Sequence, residues 1–475
     1  MTATDVQLKQ RDLAQILQER CGENVYSCYQ CIRCSSGCPL SEHFDLTPSQ
    51  VMRYLQLGKD EVVLRSKTIW LCSSCQACST RCPQGLDLVR MMDELKTISQ
   101  ERGIEPGVSS IPLLYDIFLR DVRLLGRTYE LGLAAELGLR SGDPFKDLPM
   151  GLEMLRKGKF SLLPGRTSYP RRIKPQKVKP DQMAYYPGCS LHSTAAELNV
   201  SIRSVFGELG IDLVEPKGWV CCGSTPAHAT DHFVSTLMAM KNLALIERKG
   251  FEEAMVACLG CFSRFKWALH DVANEPELRK RVDEELGYEY QGKLDVRYVV
   301  DVLAEAVAMA AIAQRVKIPL EGLKVVCYYG CVYTRPPKVT QATHVEYPMT
   351  LDHLVEGLGA ESLDWSYKTE CCGATLSMTE TELALHLTSK ILDDAKAVGA
   401  EAVVVSCPLC HMNLDARQSQ LELDYSMPIL YFTQLMGLAF GLPNKELALD
   451  KNMVSPHSLL EEKRLLPRAQ KRKSE

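Results

Sequence analysis

The sequence predicts a helical N-terminal domain followed by an α/β domain that is duplicated within the 475-residue chain. Short helical patterns surround two cysteine-rich segments before residue 105. After residue 183, apolar runs typical of strands alternate with helical stretches. Three motifs occur there twice and in the same order: MAYYPGC and VVCYYGC, CCGST and CCGAT, VACLGC and VVSCPLC. The repeated order indicates an α/β region built from two similar halves.

Composition and pattern divide the chain into five segments. Residues 164–180 hold four prolines and six Lys or Arg with no acid, which is typical of an extended linker. The C-terminal stretch is basic and lacks periodicity, which favours a tail. We expect a helical domain at 1–105, a helical segment and Pro/basic linker at 106–182, a first Cys-Cys-Gly half at 183–318, a second half at 319–445 and a basic tail at 446–475.

The spacing of apolar residues and the capping residues indicate where helices begin and end. Leu13, Ile16 and Leu17 recur at helical spacing before Cys21. Thr47-Pro48 is an N-cap followed by a proline at the first helical position. The predicted helices are Asp12–Cys21, Ser49–Leu57, Asp87–Glu101, Leu113–Arg120, Arg127–Leu139, Leu152–Leu155, Val234–Glu247 and Glu380–Ala397.

Composition also excludes several classes of protein. A net charge of −4 argues against a nucleic-acid binder, which would usually be basic. The most apolar stretch, 298–313, is interrupted by Asp301 and Glu305, so no membrane span is expected. Twenty cysteines in a long chain whose start is polar do not fit a small secreted disulfide framework. We therefore expect a reducing cytoplasmic location, with attachment to a membrane only through a partner.

The N-terminal cysteines form a doubled Cys-x2-Cys-x2-Cys-x3-Cys-Pro pattern. This spacing is a signature of two cubane 4Fe–4S clusters, in which the cysteine before proline crosses to the other cluster. Two structural zinc sites are the alternative, but zinc usually uses paired Cys-x2-Cys knuckles. The rule assigns Cys28, Cys31, Cys34 and Cys82 to one cluster, and Cys72, Cys75, Cys78 and Cys38 to the other.

The Cys-Cys-Gly triplets belong to two groups of five cysteines. Five thiolates exceed the four corners of a cubane, so a distorted cluster with one bridging thiolate would use them all. A zinc site, a vicinal disulfide and an ordinary cluster with a spare cysteine remain open at this point. The first group is Cys189, Cys221, Cys222, Cys258 and Cys261, and the second group is Cys331, Cys371, Cys372, Cys407 and Cys410.

These motifs resemble the heterodisulfide reductase family. Residues 1–165, with CYQCIRCSSGCP and IWLCSSCQACSTRCPQG, look like its C-type subunit, and residues 183–440 look like its B-type subunit. The order C then B in one chain is similar to the fused D-type form. The resemblance implies a noncubane 4Fe–4S cluster in each five-cysteine group, in addition to two cubane clusters. It leaves Cys327 as a spare cysteine, with a role as an alternative ligand open, and Cys21 is expected to be a buried helix thiol.

The resemblance also implies a reaction. A disulfide would be cleaved between the two noncubane clusters, and the cubane clusters would transfer electrons to them. The two thiolates that result would need protons. His192 and His411, both close to group cysteines, are candidate proton donors, with a packing role as the alternative. Arg335 and Lys338 follow Cys331 and are candidates for binding an anionic tail of the substrate. The alternative is that they belong to a solvated loop.

Two other functions stay open. The main rival is an electron-transfer subunit of a flavin dehydrogenase of the glycolate or glycerol-3-phosphate type, which has no substrate site of its own. A structural zinc protein is a third. The sequence contains no Gly-x-Gly-x2-Gly fingerprint after a strand, so electrons should come from a partner. We expect a flavoprotein like the A-type subunit of heterodisulfide reductase or another electron donor, a disulfide or thiol substrate, no nucleic acid, and assembly into a larger complex.

Overall fold

The computed structural model describes residues 12–466, except the side chains of residues 306 and 307. The ferredoxin domain and the segment after it are helical, as the sequence predicts. Their helices are α1 (Leu13–Cys21), α2 (Arg33–Ser36), α3 (Pro48–Gln56), α4 (Asp60–Leu64), α5 (Lys67–Leu71), α6 (Ala77–Arg81), α7 (Leu88–Glu101), α8 (Ser110–Leu125), α9 (Glu130–Ser141) and α10 (Leu148–Arg156).

Capping side chains explain where α1 and α3 begin, and the cap at Thr47 is the one that the sequence predicts. Asp12 caps α1, because its Oδ1 accepts a hydrogen bond from the backbone N–H of Ala14 at 3.1 Å. At the start of α3, the backbone N–H of Thr47 donates to Gln50 Oε1 at 2.8 Å, and Pro48 is the first helical residue. These contacts satisfy backbone N–H groups at the start of each helix.

The second region consists of two four-stranded parallel sheets with the same strand order. The order is β2-β1-β3-β4 in the first half and β6-β5-β7-β8 in the second. The strands are β1 (Gln182–Tyr186), β2 (Asp212–Val214), β3 (Glu253–Val256), β4 (Asp295–Tyr298), β5 (Lys324–Tyr328), β6 (Glu361–Ser362), β7 (Ala402–Val405) and β8 (Ile429–Tyr431). The matching orders confirm the predicted fold class, a helical domain followed by a duplicated α/β domain.

Helices connect the strands, as parallel pairing requires. In the first half they are α11 (Ala196–Glu208), α12 (Ser224–His228), α13 (His232–Arg248), α14 (Leu259–Asn274), α15 (Pro276–Leu286), α16 (Val299–Leu303) and α17 (Ala306–Arg315). In the second half and after it they are α18 (Pro337–Thr340), α19 (Thr350–Gly357), α20 (Thr381–Ala397), α21 (Pro408–Ala416), α22 (Phe432–Ala439), α23 (Asn444–Leu447) and α24 (His457–Glu462).

The two halves pack into one hydrophobic core, so their cysteine groups are held rigidly with respect to each other. The core includes Val256 of β3 and Val404 of β7, which are fully buried. Helix α11 of the first half contacts α22 of the second, and Ser201 Oγ lies 2.7 Å from Thr433 Oγ1. The core of the ferredoxin domain continues into Leu376 of the second half.

The C-terminal stretch differs from the sequence expectation. Leu449 and Leu460 are fully buried in the core of the α/β region, so residues 446–466 are packed rather than forming a tail. The sequence pattern misses them because helices of four to six residues are too short to display a period. The rest of the predicted tail lies outside the described residues. Among residues 12–466, no helix has the length and apolar character needed to cross a membrane.

Candidate iron–sulfur centres and the cavity beside them

The two N-terminal cysteine motifs share an unusual backbone. Gln30 and Ile32 in the first motif have φ of 62° and 66°, and Ser74 and Gln76 in the second have φ of 56° and 63°. Non-glycine residues rarely adopt this left-handed conformation, and for a β-branched residue such as isoleucine it is strained. The two motifs have the same backbone strain at equivalent positions. This indicates that each loop is shaped to surround a cluster of its own.

The neighbours of Cys38 match the crossing rule. Burial raises the pKa of its thiol, and the nearby Cys75 and Cys72 raise it further. Burial likewise raises the pKa of Cys78, with contributions from Cys72, Cys75 and Cys38. Cys38 therefore lies with the second motif although it belongs to the first. Cys31 is exposed whereas Cys75 is buried, so the first motif faces solvent and the second faces the interior.

The Cys-Cys-Gly groups form at the carboxyl ends of the parallel strands, where such sheets usually bind ligands. Cys258 follows β3 as the N-cap residue of α14, and Cys407 follows β7 as the N-cap residue of α21. Gly223 and Gly373 follow the cysteine pairs with φ of 89° and 75°. A Cβ on Gly223 would lie 2.6 Å from that of Ala227, so this turn accepts only glycine.

Thiol groups converge in both groups. Cys222 Sγ lies 3.2 Å from Cys261 Sγ, and Cys372 Sγ lies 3.8 Å from Cys410 Sγ. None of the cysteines of residues 12–466 is paired in a disulfide. Thiolates this close together and this well buried need cations, and iron provides them in a cluster. The donor set therefore fits iron–sulfur centres, which the chain would hold through these cysteines.

The groups follow one another through the molecule. Cys75 of the buried N-terminal motif interacts directly with Cys371 of the second group. Cys258 of the first group interacts directly with Cys407 of the second. The spatial order is therefore the exposed N-terminal motif, the buried N-terminal motif, the second group and the first group. This order was not readable from the sequence, in which the first group precedes the second.

A cavity of about 740 Å³ lies where the ferredoxin domain meets both α/β halves. All five cysteines of the second group line it, and helices α7, α12 and α14 supply much of the remaining wall. Leu259, Leu409 and Trp267 contribute apolar surface, while His228 and Arg264 contribute polar groups. A concave site with apolar walls and a few polar groups is typical of small-molecule binding.

The two histidines that the sequence suggested as proton donors lie elsewhere. His192 is half-exposed, and its Nε2 lies 3.0 Å from Glu215 Oε1. His411 is buried in the core, where its ring stacks on Tyr431 with centroids 4.0 Å apart and its Nε2 donates to the carbonyl of Ile429 at 3.1 Å. Neither residue lines the cavity. Both histidines therefore lie away from the cavity, and a role for either of them as a proton donor stays a prediction from the sequence.

The two suggested cations are also engaged elsewhere. Arg335 is 1 % exposed, donates to the Thr369 carbonyl at 2.9 Å and pairs with Glu346. Lys338 lies 3.1 Å from Asp87 Oδ2, and its Nζ lies 5.3 Å from the centre of the Trp267 ring, at the border of the cavity. Arg335 therefore stabilises the second half and does not reach the cavity.

The remaining two cysteines lie apart from the groups. Cys327 is fully buried within β5 and accepts a hydrogen bond from Ser362 Oγ at 3.5 Å. Cys21 is buried at the end of α1, where its thiol donates to the Leu17 carbonyl at 3.0 Å. Burial raises the pKa of Cys21 to about 12, which keeps it a neutral thiol.

The cavity contains a histidine that sequence reasoning missed. His228 Nδ1 lies 2.7 Å from Asp93 Oδ2, and Asp93 Oδ1 accepts from Lys96 Nζ at 3.0 Å. Burial and the nearby charge of Arg264 lower the pKa of His228 to about 4. Burial opposes ionisation of Asp93, but Lys96 and His228 hold the pKa of its carboxyl below the usual range. His228 is therefore neutral near pH 7, with its proton on Nδ1 and a free lone pair on Nε2.

Two family models match the chain. The 4Fe-4S dicluster domain matches residues 27–87, and the cysteine-rich domain matches residues 183–266 and again residues 325–415. The first match covers both N-terminal motifs, and the repeated match coincides with the two sheets. The chain therefore carries domains that bind 4Fe–4S clusters.

Relatives of known description share most of their length with this chain. A protein of Archaeoglobus profundus, named for its likeness to the B-type subunit of heterodisulfide reductase, is 31 % identical over 55 % of this chain and 91 % of its own length. An 8-methylmenaquinol:fumarate reductase membrane anchor subunit of Wolinella succinogenes is 32 % identical over 58 % of this chain and 99 % of its own length. A probable glycolate oxidase iron-sulfur subunit of Bacillus subtilis is 22 % identical over 86 % and 93 %. The chain belongs to the family of iron–sulfur proteins related to the B-type subunit of heterodisulfide reductase, with a dicluster domain preceding its two cysteine-rich domains.

Proposed function

We propose that the chain is the subunit of a larger oxidoreductase that reduces a disulfide to two thiols, or runs the same reaction in reverse. The observation that carries this proposal is the cavity of about 740 Å³ onto which the cysteines of the second group open. A cluster bound by these cysteines would fill part of that volume. The cavity continues beyond them along α7 to Asp93 and Thr97, and a subunit that only relays electrons needs no such extension. The volume is in the range of small-molecule sites.

The cysteines support two kinds of centre. We assign cubane 4Fe–4S clusters to the two N-terminal motifs and noncubane 4Fe–4S clusters to the two five-cysteine groups. Bound there, the clusters supply the two electrons that cleavage of a sulfur–sulfur bond consumes, one at a time. Cys31 is exposed, so electrons would enter through the first motif from a partner protein, such as a flavoprotein like the A-type subunit of heterodisulfide reductase.

Residues of the cavity wall would transfer protons and limit the access of water. Each disulfide takes up two electrons and two protons and leaves as two thiols. His228 is the candidate that moves a proton, because Asp93 fixes its Nδ1–H and leaves Nε2 to exchange protons with the cavity. Trp267, Leu259 and Leu409 give the cavity an apolar side that limits the access of water.

Titration with disulfides tests the proposal. The chain is purified anaerobically with its clusters, and disulfides are added while paramagnetic signals are recorded by electron paramagnetic resonance. We expect a disulfide to change a signal that disappears in Cys372→Ala. Cys327→Ala is the matched control, because Cys327 is a buried cysteine of the same half that lies outside the group. If no disulfide or thiol changes any signal, the proposal fails.

The second candidate is an electron-transfer subunit without a substrate site. The relative named as a glycolate oxidase iron-sulfur subunit supports it, because that likeness extends over both domains of the chain. The relative named as a membrane anchor subunit of a fumarate reductase points in the same direction. This candidate predicts that a redox partner reoxidises the chain while disulfides leave its signals unchanged.

A further inference from the structure

Arg264 occupies an unusual position in the wall of the cavity. It lies on α14 one helical turn after Cys261, so the two side chains are on the same face of the helix. Within residues 12–466, the Arg264 guanidinium has neither a hydrogen bond nor an ion pair, although it is only partly exposed. A guanidinium has five N–H groups that donate hydrogen bonds. Leaving them without acceptors in a partly closed site destabilises the folded protein.

The acids around Arg264 have basic neighbours of their own. Three carboxylates are near enough to attract the positive charge of the Arg264 guanidinium. Asp93 lies 3.0 Å from Lys96, Asp87 lies 3.1 Å from Lys338, and Asp271 lies 3.4 Å from His270 and 3.8 Å from His232. None of the three forms a direct contact with the guanidinium. Its positive charge is therefore left available to the cavity.

The position of Arg264 relates it to both Cys-Cys-Gly groups. Its charge is close enough to interact with Cys222 of the first group, and the cavity that it lines contains cysteines of the second. Arg264 and Cys407 line the same cavity, so an anion held by Arg264 would share it with cysteines of the second group. A disulfide anchored by that anion would lie beside these cysteines.

We propose that Arg264 binds an anionic group of the disulfide and so selects disulfides that carry a carboxylate or another oxyanion over neutral ones. The inference rests on the proposed function, because it names the substrate class of the same site. Guanidinium is suited to this task, since its planar fork matches the two oxygens of a carboxylate. Arg335 and Lys338, which the sequence suggested for it, are already held by Glu346 and Asp87.

Two disulfides that differ in charge but little in size test the inference. Binding of dithiodiglycolate and of its neutral diamide is measured by anaerobic calorimetry on the holoprotein, for the wild type, Arg264→Gln, Arg264→Lys and Arg248→Gln. The last is a matched control, because Arg248 is a partly exposed arginine of the same half that lies outside the cavity, with its guanidinium 5.0 Å from the centre of the Tyr288 ring. Propionate is a third probe, since it carries the anion without a disulfide.

We expect Arg264→Gln to weaken binding of dithiodiglycolate by about tenfold to a hundredfold, the range for a hydrogen bond to a charged group. Arg264→Lys should keep part of the affinity, and Arg248→Gln should keep all of it. Binding of the diamide should not change, which also shows that the variant is folded. The inference is overturned if Arg264→Gln binds dithiodiglycolate as tightly as the wild type, or if it loses both disulfides equally.

Propionate separates the two proposals. If the wild type binds propionate through Arg264 but binds no disulfide, the anion site stands and the proposed function fails. If the wild type binds and reduces disulfides regardless of charge, the proposed function stands and the inference about Arg264 fails. If the wild type binds none of the three probes, both fail.

Discussion

The hydroxyl of Ser73 lies 3.4 Å from Sγ of Cys371, although the two residues are 298 positions apart in the chain. Ser73 follows Cys72 in the buried N-terminal motif, and Cys371 begins the second Cys-Cys-Gly triplet. The neighbouring Cys75 interacts with the same Cys371 thiol. The contact places the second group directly against the buried N-terminal motif.

Loss of Cys75 should remove the centre that connects the two domains. We expect Cys75→Ala to contain about four iron atoms fewer than the wild type, since one cubane cluster holds four. The variant should also lose the magnetic coupling between the ferredoxin domain and the second group in electron paramagnetic resonance spectra of the reduced protein. Cys21→Ala, which removes a buried thiol outside the motifs, should keep both. Unchanged iron in Cys75→Ala would contradict the assignment.

The two cysteines near the end of β5 should behave differently. Cys331→Ala should lower the iron content by about four atoms per chain. Cys327→Ala should keep its iron and lose only about 1 kcal/mol of stability, because it removes a small buried side chain that contacts Ser362. Iron analysis and chemical denaturation of both variants provide the measurement. Iron loss in Cys327→Ala alone would show that the ligand is Cys327.

Replacement of His228 should slow proton transfer. We expect His228→Gln to lower the rate of disulfide reduction by about a hundredfold or more, the usual contribution of a general acid or base. His192→Gln should stay within about twofold of the wild type, because His192 is half-exposed and lies away from the cavity. Steady-state rates with an artificial electron donor would test both variants. Equal rates in the two variants would remove His228 from the mechanism.

His228 should also make stability depend on pH. Its pKa is lowered to about 4 in the folded chain and returns to about 6.5 on unfolding. Between these values the unfolded chain binds more protons than the folded chain, so this contribution is fully present above about pH 6.5 and is lost as the pH falls through 4. Wild type and His228→Gln should therefore differ in how their urea midpoints change between pH 7 and pH 5. Parallel midpoints at the two pH values would contradict the shift.

Cysteine spacing is a local property that sequence reasoning can use. The spacing of the N-terminal motifs predicts that Cys38 joins the second motif, and in the structure Cys38 has Cys72 and Cys75 as neighbours. Reasoning by sequence proximity failed for side chains near a cysteine. His411 directly follows Cys410, but adjacent residues of a helix point about a third of a turn apart, and His411 is directed into the core. Arg264, three residues after Cys261, shares its face of the helix.

The sequence by itself determined the fold class and the grouping of the cysteines, because cysteine spacing, the turns between cysteines and the duplicated strand–helix pattern are set by short-range geometry. Only the tertiary structure decided which cysteine groups are neighbours, where the cavity lies and that Arg264 faces it without a hydrogen bond or ion pair from the described residues. Those features arise from contacts between distant segments, such as the packing of Leu376 against the core of the ferredoxin domain. No pattern within a short stretch of chain encodes such contacts, because they depend on how whole surfaces fit together.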